Sequence, residues 1–251
     1  MIASLFFLVA AAFFAGLIDS VAGGGGLISL PALLACGMPA HLALGTNKFQ
    51  STLGTAVAAI NFHRKAKILW KIALVGVPCS FAGSVFGAKM ALFVEQTMLA
   101  KILVVILPPS AALIFASRAL LKHKTVPAVS PVNFWVLTPL MCAVIGIYDG
   151  FFGPGTGTFL IVGLVLVSHL PLINASATAK TFNLASNIGA FITFLLAHEV
   201  NLLIGALMAG GNILGNYIGS HYAIKHGSAL VNKIVCVSLA LLFVYLAVKY
   251  F

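Results

Sequence analysis

Acidic residues are almost missing from this chain: it has four Asp and Glu against 14 Lys and Arg in 251 residues, and only 7% of it is charged. A soluble domain carries roughly a quarter charged residues, so a water-covered globular domain is excluded. No Lys or Arg precedes Lys48. With no basic n-region ahead of it, the N-terminal apolar stretch is expected to be a retained membrane segment rather than a secretory signal peptide. Cysteine is sparse, and Cys36, Cys79, Cys142 and Cys236 lie far apart, in or beside apolar runs. Their spacing fits neither a metal site nor a disulfide framework; they read as small packing residues. No Ser/His or zinc-ligand constellation is present. An intramembrane enzyme would rest on "YDGFFG" (Tyr148 to Gly153) alone, which is too little for catalysis; no enzyme activity, cofactor or metal is expected.

What fills the chain instead is hydrocarbon. Hydrophobic residues make up 61% of it, the mean hydropathy is +1.13, and apolar runs recur throughout. Most are about long enough for a helix to cross ~30 Å of bilayer core. The expected class is an all-α membrane protein with no soluble domain and the lipid bilayer as its solvent. The net charge of +10 does not point to nucleic acid, because the basic residues are not interleaved with solvated aromatics. They cluster in short loops, as the positive-inside rule expects.

The chain also repeats itself. A shift of 132 residues aligns Pro39 with Pro171, Thr46 with Thr178, Lys48 with Lys180, Gly83 with Gly215 and Gly87 with Gly219. Upstream, a shift of 130 aligns Gly16 with Gly146, Asp19 with Asp149, Gly23 with Gly153 and Gly25 with Gly155. Two repeats follow, 1–117 and 132–251, joined by a basic linker, 118–131. Each carries about five apolar elements, roughly 2–18, 26–37, 41–62, 69–90 and 98–117 in the first copy. In the second they fall roughly at 132–147, 156–169, 174–196, 200–221 and 230–250. The second element of each copy is too short to span, under ~21 Å as a helix, so a re-entrant or broken helix is expected there.

An odd number of crossings per copy makes the repeats inverted. The loop "HRKAKILWK" (His63 to Lys71) carries Arg64, Lys65, Lys67 and Lys71 and belongs in the cytoplasm. Its counterpart "LLAHEVNLL" has no Lys or Arg, as an outward loop should. Arg118, Lys122 and Lys124 put the linker inside, which leaves both termini outside. Inverted repeats around short, glycine-interrupted segments point to secondary transporters, although channels and purely structural membrane proteins also repeat.

Both interruptions, "AGGGGLISLP" and "FGPGTGTFLI", precede a helix. Helix starts offer N–H groups and partial positive charge to an anion, and glycine allows close approach. Gly24, Gly25 and Gly26, with Gly155, Thr156 and Gly157, are therefore candidate binding residues. The alternative is close helix packing by small residues. Lys48 and Lys180 lie early in the third element of each copy, where a buried lysine costs ~2.5–3.5 kcal/mol at the bilayer centre. Either they snorkel to an interface or they serve an oxyanion together with Thr46, Asn47, Gln50, Thr178, Asn183 and Asn187. Asp19 and Asp149 are expected to pair with the lysines, to cap the following half-helix or to take up protons. Asn212 and Asn216 lie one turn apart and either line the path or bond between helices. The GxxxG pairs Gly83/Gly87 and Gly215/Gly219 fit close helix crossing.

The stretch "GLIDSVAGGGGLISLPALLACGMPAHLALGTNKFQ" with the later "GPGTGTF" and "ATAKTFNLASNIGAFITFL" resembles the sulfite exporter TauE/SafE family of membrane permeases over nearly the whole chain. The resemblance implies a bacterial inner-membrane transporter of two related halves, handling small sulfur-containing anions such as sulfite or organosulfonates. The positions matching the family motifs are Gly23 to Gly26, Thr46, Asn47, Lys48, Thr178 and Lys180. Ala179 stands where the first copy has Asn47, and Pro154 interrupts the second glycine stretch, so the half-sites are chemically unequal. The expected function is alternating-access transport of such an anion bound near the midplane between the repeats; an anion channel is the alternative. The expected partners are the anion, a coupling proton or Na+, and a second copy in a homodimer.

Overall fold

The computed structural model describes residues 2–65, 68–121 and 132–226 and has no strand among them. The first half comprises α1 (Ile2–Ala22), α2 (Gly26–Ala35), α3 (Ala40–Arg64), α4 (Trp70–Phe93) and α5 (Gln96–Leu121). In the second half a π-helical turn (Asn133–Leu137) runs into α6 (Thr138–Phe151), followed by α7 (Thr156–Leu166), α8 (Leu172–Leu196) and α9 (Leu202–His226). The expected tenth element, most of the basic linker, and Lys67, Lys122, Lys124, Lys233 and Cys236 lie outside the described residues.

Four described stretches are long and apolar enough to cross a membrane: Ala3–Ser20, Trp70–Phe93, Phe134–Phe151 and Leu202–Lys225. Helices α3 and α8, 25 residues each, are about 37 Å long but carry most of the buried polar side chains. The short elements are as short as the sequence suggests. Helices α2 and α7 have 10 and 11 residues, roughly 15–17 Å, and neither can span. Pro39 and Pro171 occupy the same place in each half, immediately ahead of α3 and α8, with φ of −53° and −56°. Proline presets that angle and needs no N–H partner at a helix start. The outer surface is apolar: Phe6, Leu74, Phe93, Trp135 and Leu203 are all exposed, which suits contact with acyl chains.

Glycines set how the helices lie against each other. On α9, Gly211 abuts Val9, Gly215 abuts Phe13 and Gly219 abuts Leu17, so α9 runs in the same direction as α1. On α4, Gly83 abuts Ala143 and Gly87 abuts Ile147, which aligns α4 with α6 in the same way. Phe49 against Gly205, Gly54 against Asn212 and Asn61 bonded to Ser220 place α3 along α9. Gly76 against Phe182 and Gly189 against Ser84 place α8 along α4. By contrast, α3 and α8 run in opposite directions, since Gly45 meets Phe194 whereas Thr55 meets Asn187. Hence α1, α3 and α9 point one way and α4, α6 and α8 the other.

The two GxxxG pairs do the work their spacing implies. Side chains added at Gly83 and Gly87 would run into the carbonyl oxygens of Ala143 and Ile147, and those at Gly215 and Gly219 into the α1 backbone. Asn212 and Asn216 sit at this second crossing. Asn212 donates to the carbonyl of Ala12 (3.2 Å) and so bonds between helices, whereas Asn216 donates to Asn212 Oδ1 (2.8 Å) one turn back on its own helix.

Gly215→Leu is expected to destabilise the protein by at least about 1–3 kcal/mol, the usual cost of overpacking. Gly210→Leu, at a position with no described atom within 4 Å of the added carbon, is expected to be near neutral. Thermal unfolding of the purified variants in detergent measures the difference.

Candidate functional site

Lys48 and Lys180 are each the ninth residue of a 25-residue helix, and each is only 1% exposed. Neither snorkels. Their ammonium groups turn inward, and each meets an aspartate of the opposite half. Lys48 Nζ lies 2.8 Å from Asp149 Oδ1, and Lys180 Nζ lies 3.1 Å from Asp19 Oδ2 while also donating to the Asp19 main-chain carbonyl. Each half thus supplies the cation for one pair and the anion for the other.

Both acids lie within the last turn of a helix, because α1 runs on to Ala22 and α6 to Phe151. The capping role considered for Asp19 and Asp149 is therefore corrected: neither caps the half-helix that follows, and Gly25 and Gly155, at the N-caps of α2 and α7, carry no side-chain cap bond. A carboxylate at a helix C-terminus is opposed by the carbonyl dipoles around it. An ammonium group there offsets both the acid and the dipole, which is why the lysines are needed.

Hydrogen bonds join the two pairs into one network. Lys48 also donates to Asn187 Oδ1 (3.3 Å). Asn187 Nδ2 donates to Thr55 Oγ1 (3.5 Å), and that hydroxyl donates to Asp19 Oδ2 (3.3 Å). Asn183 Nδ2 reaches Asp19 Oδ1 at 3.5 Å, and Thr156 Oγ1 donates to Asp149 Oδ1 at 2.7 Å. Asp149 Oδ2 is buried and has no hydrogen-bond partner among the described residues.

The glycine breaks lie back to back beside this network. The Gly157 N–H donates to the Gly23 carbonyl (3.1 Å), and a β-carbon on either glycine would overlap the backbone of the other. Gly23, Gly153 and Gly155 have φ of +74°, +95° and +88°, the left-handed region that favours glycine. Close packing therefore explains Gly23 and Gly157, and backbone conformation explains Gly153 and Gly155. One amide counted as a candidate anion donor, that of Gly157, is already used between the breaks.

Where breaks and ion pairs meet there is a cavity of about 20 Å³, room for one water-sized group. Of the candidate residues, Asp19, Gly26, Asn47, Lys48, Asp149, Thr156, Gly157, Asn183 and Asn187 line it, joined by Gly23. Gly24, Gly25, Gly155, Gln50 and Lys180 do not. Gln50 instead donates to Asn47 Oδ1 (2.9 Å), which also accepts from Ser29 (2.6 Å). Ser51 and Gly153 complete the lining and were not among the candidates, nor was Thr55. The repeat held the signal for two of them: the 132-residue shift carries Asn183 onto Ser51 and Asn187 onto Thr55. Among the described residues no group of three or more His, Cys, Asp or Glu could hold a metal ion.

Thr46 and Thr178 lie outside the cavity, and their hydroxyls serve the backbone. Thr46 Oγ1 accepts from the Asn201 N–H (2.9 Å) in the connection from α8 to α9, and Thr178 Oγ1 accepts from the Leu69 N–H (3.1 Å) in the connection from α3 to α4. Each threonine is two residues from a buried lysine. Because α3 and α8 run in opposite directions, the two ties lie at opposite ends of the helix pair.

A family profile described as Sulfite exporter TauE/SafE matches residues 8–246. A probable membrane transporter protein, ORF9, of Sinorhizobium sp is 40% identical over 238 residues, covering 94% of this chain and 90% of its own. A probable membrane transporter protein of Haemophilus influenzae is 34% identical, covering 90% of this chain and 87% of its own. The probable membrane transporter protein YfcA of Escherichia coli K12 is also 34% identical, with 90% and 83% covered. No solved structure matches the chain.

Lys48→Met strands Asp149 in the interior, and loss of one member of a buried pair is expected to cost about 3–5 kcal/mol. Replacing both partners, Lys48→Met with Asp149→Leu, is expected to recover most of that in thermal unfolding, even with transport lost.

Proposed function

The chain belongs to the sulfite exporter TauE/SafE family and is a membrane transporter, not an enzyme; on that premise we propose a secondary carrier that moves small sulfur-containing anions, sulfite or organosulfonates, by alternating access. The observation that carries the reading is the crossed arrangement of Lys48–Asp149 and Lys180–Asp19 around abutting helix breaks. The anion binds between the halves, where the ammonium groups exchange their carboxylate partners for sulfur-bound oxygens. The amide groups of Asn47, Asn183 and Asn187, which line the same cavity, supply neutral donors.

The halves act as inverted repeats. In support, α1, α3 and α9 run opposite to their counterparts α6, α8 and α4, and the Thr46 and Thr178 ties recur with the halves exchanged. The two ties act as latches, one toward each face of the membrane, and with both formed the cavity holds only a water-sized group. Releasing one latch at a time opens the site to one side and then the other. Arg64 and Lys65, exposed at the end of α3, favour a cytoplasmic connection there in a bacterial inner membrane, which leaves the start of α1 outside.

In proteoliposomes, labelled sulfite or methanesulfonate is expected to show saturable uptake and counterflow, both abolished by Lys48→Ala or Lys180→Ala. Uptake unchanged in both variants overturns the assigned role of the lysines; large single-channel currents in place of counterflow make the protein an anion channel. Oxidative cross-linking of Thr46→Cys with Asn201→Cys is expected to stop uptake, and reduction to restore it.

A further inference from the structure

The charges at the junction of the halves cancel. Lys48 meets Asp149, Lys180 meets Asp19, and Lys48, Lys180 and Asp149 are each 1% exposed. An anion entering alone would add a negative charge to a neutral, desolvated site, and an uncompensated charge there is costly. A positive charge must therefore arrive with it.

The two acids are not equally able to take that charge. Asp19 uses both oxygens, Oδ2 toward Lys180 and Thr55 and Oδ1 toward Asn183. Asp149 Oδ1 accepts from Lys48 and Thr156, whereas its Oδ2 is buried without a partner among the described residues and the residue lines the cavity. A metal cation at this oxygen would keep its full charge close to the Lys48 ammonium and would be repelled. A proton instead becomes part of the carboxyl group. Forming an O–H bond at Oδ2 neutralises the acid and leaves the Lys48 charge unbalanced, ready for the anion.

Building on the carrier reading, we propose that a monovalent sulfur anion crosses together with one proton, which is carried on Oδ2 of Asp149. Around this carboxyl, α3 presents Lys48, α8 Lys180 and α1 Asp19. Tyr148 is its neighbour on α6, α7 has no ionisable side chain, and α4 has Cys79 with Lys71 and Lys89, both lysines exposed. The proton comes from the aqueous phase on one side and is released with the anion on the other. The loaded and the empty site then carry the same net charge.

The test uses the full chain in proteoliposomes with labelled methanesulfonate, whose charge does not change over the working pH range. An acid-outside gradient is expected to raise the accumulation ratio about tenfold per pH unit, the free energy of one proton, while an imposed membrane potential leaves it unchanged. Accumulation that follows the potential and ignores the pH gradient overturns the proposal but leaves the carrier standing, as does accumulation driven by a Na+ gradient. No uptake or exchange of either methanesulfonate or sulfite overturns the carrier reading and this inference with it. Asp149→Glu is expected to retain the pH-driven accumulation and Asp149→Asn to lose it; a folded Asp149→Asn with the full tenfold response overturns the assignment to Asp149. The wild-type gradients decide the coupling even where Asp149→Asn does not fold.

Discussion

Two ammonium groups buried inside a helix bundle must find carboxylates, and this chain has only four acids in all. Two of them, Asp19 and Asp149, stand at the ends of α1 and α6, and each answers a lysine of the other half. That demand sets much of the architecture. The lysine helices α3 and α8 must lie side by side at the centre, and both helix breaks must approach them closely enough for a carboxylate to reach an ammonium nitrogen. A single buried pair often contributes little net stability, while removing one partner is severe. Its value here lies in geometry: the pairs tie the halves to each other.

The small residues follow from that constraint. The breaks can meet only because Gly23 and Gly157 bring backbone against backbone, and α1 and α6 can seat against α9 and α4 only because glycines hollow out the facing helices. In lipid, association between helices depends on such close packing and on polar contacts, since the bilayer supplies no hydrophobic drive. Asn212, which donates to the Ala12 carbonyl at one crossing, and Ser80, which donates to the Phe182 carbonyl (2.9 Å) near the other, add those contacts. The outer surface, free of these demands, is left to large apolar side chains.

The similarity between the halves is one of plan rather than of chemistry. Asn187 stands where the first half has Thr55, Asn183 where it has Ser51, and Ala179 where it has Asn47. The ion pairs inherit the difference. The Asp149 side chain is 2% exposed with an unpartnered oxygen, whereas that of Asp19 is 14% exposed with both oxygens engaged. That inequality between acids in equivalent places is the observation on which the proposed proton coupling through Asp149 rests.

Much of this was legible in the residue string. Length and hydropathy of the apolar runs gave the helices and the two short ones, self-comparison gave the repeat, and Lys48 and Lys180 stood out because a cation is so costly in hydrocarbon. Contacts between helices were not legible. Thr46 and Thr178 looked like ligand donors beside the lysines, yet their hydroxyls hold connections in the opposite half, because helical rotation turns residues two apart toward different neighbours. By itself the sequence determined the solvent, the two-copy plan and the places where the helices break, since composition, internal repetition and local conformational preference are properties of the chain. Only the tertiary structure decided which aspartate meets which lysine and which polar groups face the cavity. Those partners are more than a hundred positions apart along the chain, and their meeting depends on how the helices cross.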